Sequence, residues 1–394
     1  MSYYKKVEGD SIYLASIDCD KDVLKYMEWN NSKDIDSRIV FGGYTVKRLT
    51  EEAAREELND LAEQNAFAII DKGNDKMIGL IGLSNTQAMN QRSNLWIKMD
   101  TTIDYNKQID QGVDALHLML EYCFYIMNLH SVVIQFPAFN SQTLDICKNS
   151  KMLFMYERDQ AVLLENDLYD NLISYQCTPS IYESGVGFYE IHDLSPVFSN
   201  IRQLSFNDNS KMNDIITGNN IQLVAPNNIL ENKNDDYIHT MASFLNNPKV
   251  SIPLGEYKTN WNNYIAKEQL ESVDYVIEKN GKLIGYINLF NKNKTDRSAS
   301  LEVVIGDIKE QRKGYGKEAM SLFLEEEYQN GIYNSLISNI FEFNEPSLKL
   351  HKALGYEKIG ERYEAYYAYG KLNNMQTYEM NREIYKSKQK SLKK

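Results

Sequence analysis

The 394-residue chain contains few of the residues that mark several classes of protein. Its four cysteines, Cys19, Cys123, Cys147 and Cys177, lie far apart without a CxxC pair or a nearby set of histidines. This spacing predicts reduced, buried thiols and neither disulfides nor a zinc site. Basic residues are also fewer than acidic ones: the chain has 43 Lys and Arg and 55 Asp and Glu, which gives a net charge of −12. That balance disfavours a protein that coats nucleic acid or an anionic membrane, and it suits neutral or cationic partners.

Long apolar runs are missing as well. The first ten residues contain no apolar stretch of the kind found in secretory signals. The most apolar segment, Leu118 to Ile134, is interrupted by polar residues such as Glu121 and His130. It predicts a buried helix that runs on into a strand, not a membrane span. We therefore expect a cytoplasmic protein, and at roughly 150 residues per domain its length predicts two or three domains.

An internal repeat predicts how these domains are arranged. The segment that begins at Gly112 resembles the one that begins at Gly316, with Gly, Ala, Leu, Leu and Glu at matching places, 204 positions apart. Two copies of one domain explain this pattern, and a shared habit of α/β segments without common descent is the alternative. We predict an N-terminal copy over 1–180, a connector over 181–217, a C-terminal copy over 218–385 and a solvated basic tail over 386–394. Within the connector, Gly185 to Ile191 has the pattern of a strand.

The C-terminal copy shows a pattern of alternating helices and strands. It predicts antiparallel strands followed by a βαβ-type segment, and so a mixed α/β sheet. The predicted helices are Asp235 to Asn246, Gly316 to Tyr328, and Pro346 to Leu354, which Gly355 closes. The predicted strands are Tyr275 to Glu278, Leu283 to Asn288, Ser300 to Ile305 and Ser335 to Phe341, with a last hairpin from Ile359 to Met380.

The strongest chemical pattern is the loop Gln311 to Gly316, between a predicted strand and a predicted helix. Gly314 and Gly316 allow torsions that direct consecutive N–H groups at one anion, and the helix adds its positive N-terminal end. Arg312, Lys313 and Lys317 can neutralise phosphate from the rim. A glycine-containing turn before a helix is the alternative. A Walker loop is excluded because Glu318 follows Gly316-Lys317, and no acid stands where a dinucleotide fold requires one.

Two motifs carry a resemblance to a known family. Gln311-x-x-Gly314-x-Gly316 resembles motif A of the Gcn5-related N-acetyltransferases (GNAT), and Asn344-x-x-Ser347-x-x-Leu350 with Gly355-Tyr356 resembles motif B. The resemblance covers most of the C-terminal copy, and more faintly the N-terminal copy. Its overall pattern is similar to the branch that acetylates ribosomal-protein N-termini and polyamines. It implies two tandem mixed α/β domains of the acyl-CoA N-acyltransferase fold.

The resemblance also implies acetyl-CoA as the donor and no metal. The pyrophosphate would lie on the backbone of the loop, the pantetheine arm would pair with the end of the strand, and Asn344 would hydrogen-bond that arm. The implied donor-binding residues are Val304, Ile305, Gly306, Gln311, Arg312, Lys313, Gly314, Tyr315, Gly316, Lys317, Asn344 and Ser347.

Acetyl transfer to an amine requires a base, a donor for the oxyanion and, in some enzymes, an acid for the thiolate. Glu302 is the candidate base, because it interrupts an apolar strand on the face opposite Leu301 and Val303; the alternative is a solvated strand carboxylate. His351 stands where many family members have a tyrosine acid, although an ordinary helix histidine is the favoured interpretation. Five tyrosines of the final segment predict packing or amine-lining roles: Tyr356, Tyr363, Tyr366, Tyr367 and Tyr369.

The N-terminal copy departs from the motifs. Asp110 stands in place of Gly314, where we expect backbone strain and repulsion of pyrophosphate. Trp96, Cys147 and Lys151 stand in place of Glu302, His351 and Gly355. We therefore predict a domain that kept the fold, lost catalysis, and forms a wall of the acceptor site or a homodimer contact.

The sequence predicts an acetyl-CoA-dependent N-acetyltransferase whose C-terminal copy is catalytic. Its acceptor would be a primary amine: a peptide N-terminus, a polyamine, an aminoglycoside or another small amine. The alternative is a non-catalytic acyl-CoA sensor or scaffold.

Overall fold

A computed structural model describes residues 3–31, 48–87, 91–164, 168–184, 211–228, 235–255 and 259–389, with the backbone alone of 39–40, 43–44, 202–203, 234 and 390–392. The chain divides into two compact units, Met1–Leu204 and Ser205–Lys394. The division falls inside the segment predicted as a connector, and the predicted domain boundaries stay a prediction. The strand predicted at Gly185 to Ile191 lies outside the described residues.

The first unit contains a mixed sheet in the order β1-β2-β5-β6-β7-β8-β10-β9, with β11 beside β10. Among its described pairings only β7 and β8 run parallel. Its elements are β1 Lys5–Glu8, β2 Ile12–Ala15, α1 Cys19–Asn31, β3 Ile39–Val40, β4 Gly43–Tyr44, α2 Glu51–Glu63, β5 Ala66–Asp71, β6 Lys76–Gln87, β7 Arg92–Met99, α3 Tyr105–Glu121, β8 Ser131–Pro137, α4 Ser141–Lys148, β9 Leu153–Leu163, β10 Leu168–Cys177, α5 Pro179–Ser184 and β11 Arg202–Gln203. The apolar stretch from Leu118 is the end of α3, a π-helical segment Tyr122–Ile126 and then β8, so the predicted helix that runs on into a strand is confirmed.

The second unit contains a sheet in the order β12-β13-β14-β15-β16-β17-β19-β18, in which β16 and β17 are the parallel pair of the described residues. Its elements are β12 Ile215–Thr217, β13 Gln222–Val224, α6 Asn234–Leu245, α7 Pro248–Leu254, α8 Asn263–Ser272, β14 Tyr275–Lys279, β15 Lys282–Asn293, β16 Ser298–Ile305, α9 Tyr315–Asn330, β17 Ser335–Phe341, α10 Glu345–Leu354, β18 Glu357–Ala368, β19 Lys371–Asn381 and α11 Arg382–Leu392. The helices and strands predicted for this copy are confirmed. Sequence patterns missed α7, α8 and the entry strands.

Helices cover both faces of the second sheet. On one face, Ala319, Met320 and Phe323 of α9 pack against Leu301 of β16 in one buried cluster. On the other face, α6 and α8 pack against a second cluster that includes Val304. Burial from both sides explains the apolar run Val303 to Ile305 at the end of β16, and it sets Glu302 apart as the charged residue of this strand.

Both units contain the same irregularity in their last hairpin. The N–H of Gln160, at a φ of +50°, donates to Asn171 Oδ1 at 3.0 Å, and the amide of Asn171 donates to Glu157. The second unit repeats this arrangement with Glu364, Asn374 and Glu361, and Glu364 has a φ of +49°. A bulge with the same local hydrogen bonds thus recurs in both units. Sequence comparison did not detect it.

The C-terminal tail is more ordered than the sequence predicts. Its lack of apolar residues suggested a frayed segment from Lys386, but helix α11 continues to Leu392. Asn381 accepts the N–H of Ile384 at 2.8 Å, and Ile384 and Tyr385 pack against the core of the second unit. These contacts anchor the start of a helix that the apolar pattern alone does not reveal.

Candidate functional site

The parallel strands β16 and β17 separate part of the way along their length. Their pairing begins at Ser298 and Ser335 and ends at Ser300 and Ile337, although both strands continue. The last bridge is the hydroxyl of Ser338, which donates to the carbonyl of Leu301 at 3.0 Å. Beyond it, the described residues leave the edge of β16 open toward β17.

Backbone groups of alternate residues face this opening. Because the Leu301 carbonyl points to β17, the N–H and C=O groups of Val303 and Ile305 point the same way. Val304 and Gly306 point to β15 instead, and the N–H of Gly306 donates to Ile284 at 2.9 Å. Of the three residues predicted to pair with the pantetheine arm, Ile305 faces the opening, whereas Val304 and Gly306 face β15.

The loop from Gln311 to Gly316 connects this strand end to helix α9. The amide of Gln311 donates to the Ile305 carbonyl at 2.8 Å and so fixes the loop to β16. Gly314 is the N-cap of α9 at a φ of +90°, and no side chain caps the helix. The first N–H groups of α9 are therefore left for a ligand or water. A Cβ on Gly314 would meet no atom within 4 Å, so this position is open.

The two glycines of the loop serve different purposes. The sequence suggested that both provide torsional freedom, but among them only Gly314 has a positive φ. A Cβ on Gly316 would lie 3.6 Å from Ile305 and 3.7 Å from Leu350, which are ordinary contacts. Arg312 also has a positive φ, +62°. This alternation of conformations at Arg312 and Gly314 is typical of loops that bind anions through their N–H groups.

The cations around the loop are not equivalent. Lys313 lies 3.1 Å from Glu310, which also binds Lys279 at 2.9 Å. These hydrogen bonds, from Lys279 first and Lys313 second, lower the pKa of Glu310. Arg312 and Lys317 are exposed and have no ion-pair partner in the described part of the chain. They are the cations available to an anion at this loop.

Helix α10 places the motif B residues beside the opening. Asn344 is its N-cap, and its Oδ1 accepts the N–H of Ser347 at 3.3 Å. Its amide N–H₂ group donates to no partner among the described residues. The side chain can therefore cap the helix and still donate to a ligand.

His351 is poorly suited to donate a proton. It is 4% exposed, and its Nδ1 donates to the Ser347 carbonyl at 2.8 Å. Burial lowers its pKa to about 4 despite that hydrogen bond, so the imidazole is neutral near pH 7. Its ring packs edge-on against Tyr356, 4.8 Å between centroids. The interpretation as an ordinary helix histidine therefore fits better than that of an acid.

Glu302 lies on the opposite face of the sheet from α9. Leu301 packs in the α9 cluster and Val304 in the α6–α8 cluster, so alternation directs Glu302 to the α6–α8 face. The side chain is half-buried beside the opening between β16 and β17. A carboxylate at this place can accept a proton from a group that enters from that face.

An aromatic cluster lines the same face. Phe341 stacks on Tyr366 at 4.3 Å and on Phe343 at 5.4 Å, and Phe343 meets Tyr369 edge-on at 5.2 Å. A Cβ on Gly255, at the end of α7, would touch both Phe341 and Tyr366. We call Phe341, Phe343, Tyr366 and Tyr369 the aromatic cluster.

The five tyrosines predicted as packing or lining groups have different surroundings. Tyr356 packs in the α9-side core, Tyr366 and Tyr369 belong to the aromatic cluster, and Tyr367 is exposed. Tyr363 is half-buried. The sequence analysis missed Phe341 and Phe343, because only the fold brings β17 next to the last hairpin.

The matching loop of the first unit is not a loop. Residues 107–112 lie inside α3, which begins at Tyr105 with Asp104 as its N-cap. The N–H of Lys107 donates to Asp104 Oδ1 at 3.1 Å, and those of the following residues are used within the helix. Asp110 has no positive φ, so the backbone strain expected there is wrong. Gly112 permits close packing instead, since a Cβ there would lie 2.4 Å from Ile146.

Side chains fill the matching opening in the first unit. The N–H of Met99, which corresponds to Ile305, donates to Gln142 Oε1 at 3.4 Å, and the amide of Gln142 donates to Gln108. Asn140 caps α4 as Asn344 caps α10, but its amide donates to the Thr143 hydroxyl at 2.8 Å. These polar groups, available in the second unit, are satisfied internally here.

The described residues contain no cluster of His, Cys, Asp or Glu that could hold a metal ion. Across the same residues, no helix has the length and apolar character needed to cross a membrane. The four cysteines are free thiols, and Cys123, Cys147 and Cys177 are buried. Burial raises the pKa of the Cys123 thiol to about 12.

Part of the second unit is similar to a known family of domains. Residues 230–357 match the family model described as Acetyltransferase (GNAT) domain. The chain is 31% identical over 100 residues to an N-acetyltransferase 9-like protein of Dictyostelium discoideum, covering 24% of this chain and 47% of that protein. It is 24% identical over 152 residues to the SPbeta prophage-derived N-acetyltransferase YokL of Bacillus subtilis, covering 37% of this chain and 80% of that protein. The chain thus spans about half of the Dictyostelium relative.

Among solved structures, a GNAT-family acetyltransferase from Bacillus anthracis is 17% identical, with a TM-score of 0.38, over 44% of this chain and 97% of that one. The microcin C7 self-immunity acetyltransferase MccE, in complex with acetyl-CoA and AMP, is 15% identical, with a TM-score of 0.36, over 42% of this chain and 93% of that one. Residues 230–357 are thus similar to GNAT acetyltransferase domains by their match to the family model, and the predicted mixed α/β sheet is confirmed in the second unit.

Proposed function

We propose that the second unit, Ser205–Lys394, is an acetyl-CoA-dependent N-acetyltransferase that acts on a primary amine. The observation that carries the proposal is the combination of an open β16 edge with the uncapped N-terminus of α9 behind Gly314. An amide-rich arm finds partners along a strand edge, and a pyrophosphate finds partners at a helix N-terminus. Acetyl-CoA has both groups and supplies a thioester carbonyl for attack.

The donor-binding residues fall into three groups. The N–H groups at the start of α9, with Arg312 and Lys317, bind the pyrophosphate. Val303 and Ile305 pair with the pantetheine arm, to which Asn344 donates its amide. Gln311 holds the loop against Ile305, and so fixes the distance between the pyrophosphate-binding N–H groups and the strand edge that pairs with the pantetheine arm.

Glu302 serves as the base for the incoming amine. An amine attacks only in its neutral form, and a half-buried carboxylate beside the opening can take the ammonium proton directly or through water. The N–H of Val303 or Ile305 faces the opening, where it can stabilise the oxyanion. With a pKa of about 4, His351 leaves the departing thiolate to be protonated by water.

The first unit, Met1–Leu204, is proposed as a second domain of the same kind that does not bind the donor. Its sheet has the same strand order as the second, with a parallel pair and a bulge at matching places. In place of the anion loop it has a continuous helix, and Gln142 occupies the matching strand edge. Its role in forming the acceptor site or a homodimer stays a prediction, as does the cytoplasmic location.

The test of this proposal has two parts. Calorimetry should detect binding of CoA and acetyl-CoA to the full chain, and thiol release should be measured against a panel of amines. Binding with turnover supports the enzyme, and binding without turnover on any amine favours the acyl-CoA sensor. Absence of binding at millimolar ligand would contradict both.

A further inference from the structure

Arg362 lies in the same cross-strand row of the sheet as Phe341 of the aromatic cluster. It faces Met375 of β19, and Met375 faces Phe341 of β17. Side chains directly opposite each other across antiparallel strands share one face of the sheet. Arg362 is therefore on the α6–α8 face, the face to which alternation also directs Glu302.

Among the described residues, the guanidinium of Arg362 makes no hydrogen bond or ion pair. Its Nε is buried without a hydrogen-bond partner. The neighbouring acid cannot serve, because Glu361 accepts from Asn374 at 3.0 Å and from Lys358 at 2.8 Å, and successive strand residues point to opposite faces. A buried donor left unpaired is costly, and such a group in a native structure calls for an explanation. An anionic ligand group would satisfy it.

The aromatic cluster provides the apolar half of a binding surface. Phe341 and Tyr366 stack with their planes within 19°, next to Gly255. Such a pair offers a flat, rigid surface for an apolar or planar body, with Arg362 in the same row and Glu302 on the same face. A cationic polyamine has no anionic group to pair with the guanidinium of Arg362, and the two positive charges would repel each other.

We propose that the acceptor amine carries a carboxylate or phosphate group that binds to Arg362, with its apolar part on Phe341 and Tyr366. The acceptor class is thus an amino-acid-like or phosphorylated amine and not a polyamine. This assignment depends on the proposed acetyltransferase function of the second unit. Planar bidentate recognition of either anion is the geometry for which arginine is best suited.

The test compares matched pairs of amines in a thiol-release assay with acetyl-CoA. The carboxylate pair is L-phenylalanine and 2-phenylethylamine, the phosphate pair is O-phosphoethanolamine and ethanolamine, and spermidine represents the polyamines. We expect the anionic member of at least one pair to have the higher kcat/KM, by about ten- to a hundredfold, the value of a charged hydrogen-bonded pair. A preference for the anionic member in the first pair would indicate a carboxylate ligand, and a preference in the second pair would indicate a phosphate ligand.

The variant Arg362→Met should abolish that preference by raising KM for the anionic amine, while Arg362→Lys should restore part of it. Arg158 is the matched control: it stands at the corresponding position of β9, and its Nε is also buried without a partner. Arg158→Met should leave the kinetics unchanged. Both methionine variants should keep their melting temperatures, because the removed guanidinium makes no hydrogen bond to the described residues.

Two results would overturn the assignment. One is equal or faster turnover of the member that lacks the carboxylate or phosphate in both pairs, or of spermidine. The other is an anion preference that Arg362→Met leaves intact. If CoA binds but no amine in the panel reacts, the acceptor assignment is wrong while the donor site stands. If CoA does not bind, the proposed function itself fails, which the calorimetric titration detects separately.

Discussion

Substitutions at Gly314 test whether the backbone conformation of the loop is what binds the donor. At a φ of +90°, an L-residue other than glycine is strained by about 1–2 kcal/mol. A Cβ at this position meets no protein atom within 4 Å, so steric clash within the protein is not the cause of any effect. If donor binding requires the observed conformation, that strain corresponds to a loss of roughly five- to thirtyfold in CoA affinity.

The order of affinities separates backbone strain from simple bulk. Asparagine tolerates left-handed torsions better than alanine or valine. We therefore expect CoA affinity to fall in the order Gly314, Gly314→Asn, Gly314→Ala, Gly314→Val, measured by calorimetry on the full chain. Asp110→Gly is the matched control in the first unit. Because Asp110 lies inside α3, this change should create no CoA site, and glycine should cost about 0.5–1 kcal/mol of helix stability.

Bulk and strain predict opposite results for one pair of variants. If Gly314→Asn binds CoA more weakly than Gly314→Ala, the larger side chain is obstructing the ligand and the torsional explanation is wrong. Equal affinity in all four proteins would remove Gly314 from the donor site altogether.

Three further changes address the base, the histidine and a buried acid. Glu302→Gln should lower kcat by about 10²-fold, leave CoA affinity unchanged and remove the acidic limb of the pH–rate profile; an unchanged kcat would return the role to water. His351→Phe should keep most of kcat, since the pKa of about 4 already leaves this group neutral, and loss of turnover would restore it as an acid. Burial raises the pKa of Glu327 from 4.5 to about 7. The folded state therefore binds this proton more tightly than the unfolded state does. The free energy of unfolding falls as the pH rises from 4.5 to 7. The loss is at most about 3 kcal/mol; Glu327→Gln should flatten this dependence of the unfolding free energy, and an unchanged slope would contradict it.

Local signals were sufficient to predict much of the second unit. Asn344 caps α10 and Gly355 closes it at a φ of +84°, both as their residue types predict. The loop before α9 follows from Gly314, whose torsion only glycine adopts without strain. These features depend on a few neighbouring residues, which a sequence displays directly.

The sequence predictions were wrong where the same residue type can serve two different structural roles. Gly112 matches Gly316 in the alignment, but it is a packing glycine against Ile146 inside a longer helix. Asp104, which caps α3, was the available signal that the helix begins earlier. The environment of His351 could not be predicted, because its burial depends on Tyr356 and on the core behind α10.

The aromatic cluster and Arg362 show a second limit. Phe341 and Tyr366 are distant in sequence and meet because β17 and the last hairpin belong to one sheet. Alternation places each residue on a face of its own strand, but it cannot say which strands are neighbours. The residues on the acceptor side of the site could therefore not be predicted from the sequence.

The stoichiometry of donor binding tests the central claim most directly. Calorimetric titration of the full wild-type chain with CoA should give one site per chain, because an uncapped helix behind Gly314 and an open strand edge are found in the second unit, whereas a continuous helix and Gln142 occupy the matching places in the first. Two sites per chain, or one site that survives Gly314→Val undiminished, would show that the donor binds elsewhere than at α9.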